Sequence, residues 1–176
     1  MKIAVYCSAK NSIPAEYLAL GDALGRWIGE AGHTLVYGGA TGGLMTCVSD
    51  AAQAAGAQVI GVIPSRIIRA GRRAENCDQQ HMVDNMSQRK QMMRDIADCF
   101  VCLPGSYGTL DEMMDVIASG TVGEHHKPIY ILNYQGFYDH LIRLTDHMHT
   151  LAFLPQEEHY APIYVDSLEQ LYHMIH

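Results

Sequence analysis

Two patterns of apolar residues alternate along the whole chain: short runs rich in β-branched residues, and longer segments in which apolar residues recur every three or four positions. The short runs predict seven β-strands, at about residues 2–7, 34–37, 58–63, 81–83, 99–103, 128–132 and 163–165. The longer segments predict six helices, at about residues 14–32, 44–55, 87–97, 109–119, 136–150 and 167–175. This alternation is typical of an α/β fold in which helices cover a parallel sheet.

The length of the chain fits one domain. Its 176 residues lie within the roughly 100–200 residues of a common domain, and no repeat or linker divides residues 1–176. The least regular stretch, residues 64–80, carries Arg66, Arg69, Arg72 and Arg73. We predict a surface segment near the ligand side of the sheet, and a solvated basic loop is an equally good interpretation.

The charge of the chain restricts its partners. Twelve Lys and Arg residues against nineteen Asp and Glu residues give a net charge of −7, which repels nucleic-acid polymers and anionic membranes. A small phosphorylated ligand stays compatible, because a few backbone N–H groups and one arginine can hold it locally. No apolar run reaches the ~18–20 residues of a membrane helix or forms a signal sequence, so we expect a cytoplasmic protein.

The five cysteines are odd in number and fit reduced thiols better than a disulfide framework. Cys99 and Cys102 form a CxxC, but they lie inside an apolar run that predicts a strand. We therefore expect buried thiols there rather than a redox or zinc site.

Two glycine-rich junctions, residues 37–45 and 103–112, each follow a predicted strand and open a predicted helix. In an open parallel sheet, ligands bind at such junctions, where glycine lets the backbone approach an anion. The first junction has Ala40 where a dinucleotide fingerprint needs glycine, and Leu44 and Met45 where a P-loop needs Lys and Ser or Thr. The remaining functional interpretation is a site for a monophosphate or ribose phosphate. The other interpretation is that the glycines only form tight turns for packing.

Glu112 lies one helical turn beyond Gly108, where its carboxylate can reach an anion pocket at the helix start. The predicted core-facing stripe of that helix comprises Leu110, Met113, Met114, Ile117 and Ala118. This phase puts Glu112 on the opposite face, beside Val116, which we expect a second subunit to cover. An exposed surface glutamate is the alternative.

The preceding helix supplies the complementary charge. Arg89 and Lys90 fall between Met86 and Met93, on the apolar side of the helix, where a cation needs an anionic partner. The planar fork of Arg89 suits a phosphate or carboxylate. A structural Arg89 that bridges to an interior carboxylate is the alternative.

Three motifs in register resemble those of the LOG ("lonely guy") family of nucleoside 5′-monophosphate phosphoribohydrolases. The family pattern has a YGGGxxGLMG loop, an MHxRK helix start and a PGGxGTxxE loop, which correspond here to residues 37–46, 86–90 and 104–112. The chain departs from the pattern at Ala40, Thr46, Ser87 and Ser106. Three of these replace glycines, and Ser87 replaces a histidine.

The resemblance implies a single-domain, Rossmann-like, doubly wound sheet and a homodimer without metal or cofactor. The implied reaction hydrolyses the N-glycosidic bond of AMP or a cytokinin riboside 5′-monophosphate to a free base and ribose 5-phosphate. The implied catalytic pair is Arg89 and Glu112. The residues predicted to bind substrate and phosphate are Gly38, Gly39, Gly42, Gly43, Met86, Lys90, Gly105, Ser106, Tyr107, Gly108 and Thr109.

Three other functions compete with this one. The related molybdenum-cofactor carriers suggest a nucleotide or cofactor carrier without turnover, which would have no need of Glu112. The older family label, possible lysine decarboxylase, requires a Schiff-base lysine for pyridoxal phosphate, and the four lysines offer no isolated candidate. A metal site at the histidine pairs 125–126 or 147 and 149 is disfavoured, since residues two apart do not share a helix face.

Overall fold

The computed structural model describes residues 1–175, in which seven strands form one fully parallel sheet of order β4-β3-β2-β1-β5-β6-β7. The strands are β1 Lys2–Tyr6, β2 Thr34–Tyr37, β3 Gln58–Pro64, β4 Gln79–Val83, β5 Cys99–Cys102, β6 Ile129–Leu132 and β7 Ile163–Val165. The helices are α1 Ala15–Glu30, α2 Gly43–Ala54, α3 Ser65–Arg69, α4 Met86–Ile96, α5 Tyr107–Thr121, α6 Asp139–Thr150 and α7 Leu168–Met174. The predicted α/β fold and all seven predicted strands are confirmed.

The predicted helices are confirmed with two local corrections. Residues 64–80 were predicted to be irregular, but they contain the short helix α3. Helix α6 begins at Asp139 rather than near residue 136, because a 3₁₀ turn, Tyr134–Gly136, with a positive φ at Gln135 interrupts the helical path.

Side chains alternate between the two faces of the sheet, as the pleat of a strand requires. On β1, Ile3 and Val5 pack with α1, α2 and α7, whereas Ala4 and Tyr6 pack on the side that α4 and α5 cover. Each face therefore has its own apolar core. Cys99 and Cys102 lie buried on opposite faces of β5, as predicted, and the structure leaves both as free thiols.

Close contact with α1 fixes the position of α2. Gly21 and Gly29 of α1 face α2 so closely that a Cβ on them would come within 2.9 Å of Leu44 and 2.5 Å of Ala55. At the start of α2, Gly42 and Gly43 also lie close to the loop that follows β1, since a Cβ on them would approach Ala9 and Lys10.

The chain reverses its direction across the sheet at β1. It builds outward from β1 to the edge strand β4, and α4 then returns it to β5 on the other side of β1. The loops after β1 and β5 therefore diverge and leave a crevice at the carboxyl edge, where α/β sheets bind ligands.

The arginine-rich segment, residues 64–80, lies beside this crevice, as predicted. Two hydrogen bonds join its backbone to the first glycine junction: Thr41 N donates to Arg72 O (2.9 Å), and Ala74 N donates to Gly39 O (3.0 Å). Within residues 1–175, no helix has the length and apolarity needed to cross a bilayer.

Candidate active site

Arg89 is a buried cation at the centre of the carboxyl edge, with 7% of its surface exposed. The side chain of Asn85 accepts a hydrogen bond from Gln88 N (3.0 Å) and so fixes the start of α4 one turn before Arg89. The Arg89 guanidinium donates from Nε to the carbonyl oxygen of Val62 (3.1 Å). Its Nη1 lies 2.7 Å from Oε1 of Glu112. Helix α4 and strand β3 thus aim this cation at α5.

Gly38 makes room for the guanidinium. A Cβ on residue 38 would overlap Nη2 of Arg89, and Gly38 does not adopt a positive φ. The glycine is therefore required here by close approach and not by backbone conformation.

We predict that Gly38→Ala displaces the Arg89 guanidinium and destabilises the folded protein by about 1–3 kcal/mol, because the added methyl group overpacks a buried contact. The check is urea unfolding of the variant and of the unaltered protein, together with circular dichroism to show that the variant folds. An unchanged free energy of unfolding would contradict the role of Gly38 in making room for Arg89.

Glu112 lies on the buried side of α5 and not on the opposite face, so the predicted helix phase is wrong. Only 2% of its surface is exposed. The buried stripe of α5 comprises Thr109, Glu112, Met113, Val116 and Gly120. The hydrophobic pattern misplaced the stripe because the Arg89 charge compensates the burial of the Glu112 carboxylate, which hydrophobicity alone does not register.

The structure shows the arrangement given above as the alternative for Arg89. Its guanidinium forms an ion pair with an interior carboxylate, and that carboxylate is Glu112. A second subunit is not needed to cover Glu112, because its own chain buries it.

Two opposing effects act on the Glu112 carboxyl. Burial raises its pKa above the ordinary value, and the charge of Arg89 works against that shift. Oε1 of Glu112 lies 2.7 Å from Nη1 of Arg89, and because a carboxylate oxygen has two lone pairs, it keeps the capacity to accept a further hydrogen bond. Burial, and then the charge of Glu112, raises the pKa of the neighbouring Tyr6, which stays neutral. The site therefore contains one buried carboxylate with free accepting capacity.

The start of α5 is open to an anion. A Cβ on Gly105 would collide with the Thr109 side chain, so this glycine lets the loop fold onto the first turn of the helix. Ser106 has an extended backbone (φ −101°) that any residue can adopt, and its side chain does not cap the helix. The first-turn N–H groups of α5, including those of Gly108 and Thr109, therefore face outward at the positive end of the helix dipole.

The start of α2 is occupied by the protein's own side chains. Gly42 N donates to Oγ1 of Thr46 (2.8 Å), and Gly43 N donates to Oδ1 of Asn11 (2.7 Å). Phosphate binding by Gly42 and Gly43 stays a prediction, because a phosphate would have to displace these contacts. Thr46, a departure from the family pattern, thus caps the start of its own helix by accepting a hydrogen bond from Gly42 N.

The remaining predicted residues lie around this centre. Gly39 adopts a positive φ of 64° and packs against the backbone of β3. Met86 is partly exposed, with its sulfur 3.9 Å from Nη1 of Arg89. Lys90 pairs with Asp111 (2.9 Å) and Asp115 (3.3 Å) and so ties α4 to α5.

Tyr107 is 89% exposed at the first position of α5. Direct substrate contacts by Gly39, Met86, Lys90 and Tyr107 stay predictions.

A cleft of about 980 Å³ opens between the loop after β1, the first glycine junction and Ser106. Lys10, Asn11 and Arg72 line it, and none of them was predicted as a site residue. The basic composition of residues 64–80 pointed toward Arg72, but no motif pointed to Lys10 or Asn11.

The model of a family described as "Possible lysine decarboxylase" matches residues 45–175 of the chain. A rice protein named cytokinin riboside 5′-monophosphate phosphoribohydrolase LOG is 38% identical over 156 residues, which cover 89% of this chain and 64% of that protein. A protein of Mycobacterium marinum with the same enzyme name is 36% identical over 167 residues, which cover 95% of this chain and 89% of the relative. The chain belongs to the LOG family. It spans just under two thirds of the length of the rice relative.

Solved structures share the fold of this LOG-family chain. A molybdenum cofactor binding protein from Rippkaea orientalis superposes with a TM-score of 0.73 at 20% identity, covering 99% of this chain and 94% of that one. The molybdenum cofactor carrier protein of Chlamydomonas reinhardtii gives the same TM-score at 18% identity, with the same coverage. At these identities the likeness concerns the fold alone.

Proposed function

We propose that the protein hydrolyses the N-glycosidic bond of a nucleoside 5′-monophosphate, such as AMP or a cytokinin riboside 5′-monophosphate, to a free base and ribose 5-phosphate. The observation that carries the proposal is the buried pair of Arg89 on α4 and Glu112 on α5 (2.7 Å), because the N-terminus of that same helix α5 has no side-chain cap and is open to an anion. The names of the LOG relatives from rice and Mycobacterium marinum support the same reaction.

The chemistry of glycosidic cleavage suits this pair. The breaking bond develops positive charge on the ribose ring, and a fixed carboxylate in a dry site stabilises that charge. Glu112 supplies the carboxylate and has accepting capacity left to orient a water molecule. Burial raises the pKa of Glu112, and the charge of Arg89 opposes that effect and so favours the ionised form. The first turn of α5 holds the 5′-phosphate three or four residues away along the helix.

A direct assay tests the proposal against the carrier alternative. Purified protein is incubated with AMP and with other nucleoside monophosphates, and the free base is followed by chromatography. We expect base and ribose 5-phosphate in equal amounts. Tight binding of a monophosphate without any release of base would favour a carrier instead.

We also propose that the protein works as a homodimer in the cytoplasm. Part of the stripe of α5 that was predicted to face the core is uncovered: Met114 is 40% exposed, and Leu110 and Ile117 are only partly buried, whereas Met113 is fully buried. Met86 at the start of α4 and Val122, just after α5, are also exposed apolar side chains. A second copy would cover the exposed part of α5, and five free thiols fit a reducing compartment.

For the dimer we predict that Met114→Lys shifts the protein from dimer to monomer in sedimentation velocity, because it places a charge in an apolar interface. Met174→Lys is the matched control, since Met174 is similarly exposed (44%) on α7, at the other face of the sheet. A Met114→Lys protein that stays dimeric would rule out this surface as the interface.

A further inference from the structure

Lys10 lies where two cavities of the carboxyl edge meet. The larger one, of about 980 Å³, runs toward the start of α2, and a smaller one of about 230 Å³ runs toward α1 and Phe137. Lys10 and Ser106 line both cavities. The Lys10 side chain therefore shares its solvent space with the open N-terminus of α5.

The backbone of Lys10 is held in place although its side chain is exposed. Lys10 N donates to Oγ of Ser8 (3.1 Å), and a Cβ on Gly43 would approach Lys10 N to 2.8 Å. The loop after β1 is thus clamped against the start of α2. Because its backbone is held in place, the long Lys10 side chain extends toward the cleft that Lys10 lines.

The other cations near the start of α5 are already paired, so a phosphate dianion needs a further positive charge, which Lys10 can supply. Glu112 neutralises Arg89, so this pair offers no net positive charge to a phosphate dianion. Lys90 is likewise paired, with Asp111 and Asp115. Within residues 1–175, the ammonium of Lys10 makes no ion pair and no hydrogen bond, and no acidic side chain lines either cavity.

Arg72 is the other cation of the larger cavity, but its Nη2 donates to the carbonyl oxygen of Thr41 (3.3 Å). That contact directs its guanidinium to the first glycine junction, whose N–H groups are already occupied. Lys10 is therefore the uncommitted cation beside the open helix start.

We propose that the Lys10 ammonium binds the 5′-phosphate of the substrate together with the first turn of α5, and so sets the preference for a phosphorylated ribose. This inference rests on the proposed function and adds a residue to it. The contact persists from substrate to transition state, because the phosphate does not react. Lys10 therefore contributes uniform binding, which lowers KM without raising kcat.

The test is Lys10→Met in the full-length protein. A charge-assisted hydrogen bond to a phosphate corresponds to about 10- to 100-fold in affinity. We expect KM for AMP to rise by that factor, kcat to stay within about threefold, and the calorimetric Kd of ribose 5-phosphate to rise in parallel with KM. Lys10→Arg should recover most of the affinity.

Lys2→Met is the control, since Lys2 lies at the amino end of β1, the opposite edge of the sheet. A Kd of ribose 5-phosphate that is unchanged in Lys10→Met would overturn the inference, as would a Lys10→Arg variant no better than Lys10→Met. The calorimetric arm does not depend on turnover. Failure to release base from AMP, with a Kd that still depends on Lys10, would reject the hydrolase and keep the phosphate contact.

Discussion

Glu112→Gln is expected to lower kcat for base release from AMP by about 10²- to 10⁴-fold, while the Kd of ribose 5-phosphate stays within about threefold. Glutamine keeps the size of the side chain but loses the negative charge that stabilises the ribose cation. The proposed phosphate contacts lie at the first turn of α5 and do not involve this carboxylate. Single-turnover kinetics and calorimetry on the same preparation measure both quantities.

The matched control for this variant is Asp111→Asn, which neutralises the preceding carboxylate of α5. Asp111 is exposed and, among residues 1–175, forms an ion pair only with Lys90, which keeps its contact with Asp115. We expect kcat within about twofold of the unaltered protein. Equal activity of Glu112→Gln and the unaltered protein would remove Glu112 from the reaction.

Arg89→Met is expected to destabilise the protein by about 3–5 kcal/mol, because it leaves the Glu112 carboxylate buried without its counter-charge. Adding Glu112→Gln should recover part of that loss, so the double variant should be more stable than the sum of the two single effects. Urea unfolding of the four proteins gives the coupling energy. Additive effects would contradict an energetic link across the 2.7 Å contact.

The Arg89→Met variant also has an expected pH dependence. Burial raises the pKa of Glu112, and removal of Arg89 removes the opposing effect. A carboxyl whose pKa is higher in the folded than in the unfolded state binds more protons when folded, so stability falls as pH rises between the two pKa values. The deficit of Arg89→Met relative to the unaltered protein should therefore be smaller at pH 5 than at pH 8. A stability deficit of Arg89→Met that grows toward pH 5 would contradict the predicted direction of this pH dependence.

The strands could be predicted from the sequence because buried parallel strands are short, continuous apolar runs, as Cys99–Cys102 and Ile129–Leu132 are. Helix α3 escaped prediction because Ser65–Arg69 spans little more than one turn and buries none of its residues fully. A segment this short has too little periodicity to register as a helix.

Local motifs identified Arg89 and Glu112 as a pair but could not give the geometry that joins them. The phase of α5 was misjudged because the burial of Glu112 depends on a charge contributed by α4, from a distant part of the sequence. The blocked start of α2 was missed for the same reason, since Asn11 reaches Gly43 from the loop after β1. Such contacts become visible only when the fold brings the loops together.

The central claim, that water attacks the anomeric carbon beside Glu112, can be tested by running the reaction with AMP in H₂¹⁸O and analysing the products by mass spectrometry. We predict that one ¹⁸O enters ribose 5-phosphate, which is trapped by immediate reduction so that exchange does not erase the label, and that no labelled inorganic phosphate forms. Labelled phosphate with adenosine as co-product would show cleavage of the phosphate ester and contradict the account, as would AMP recovered intact.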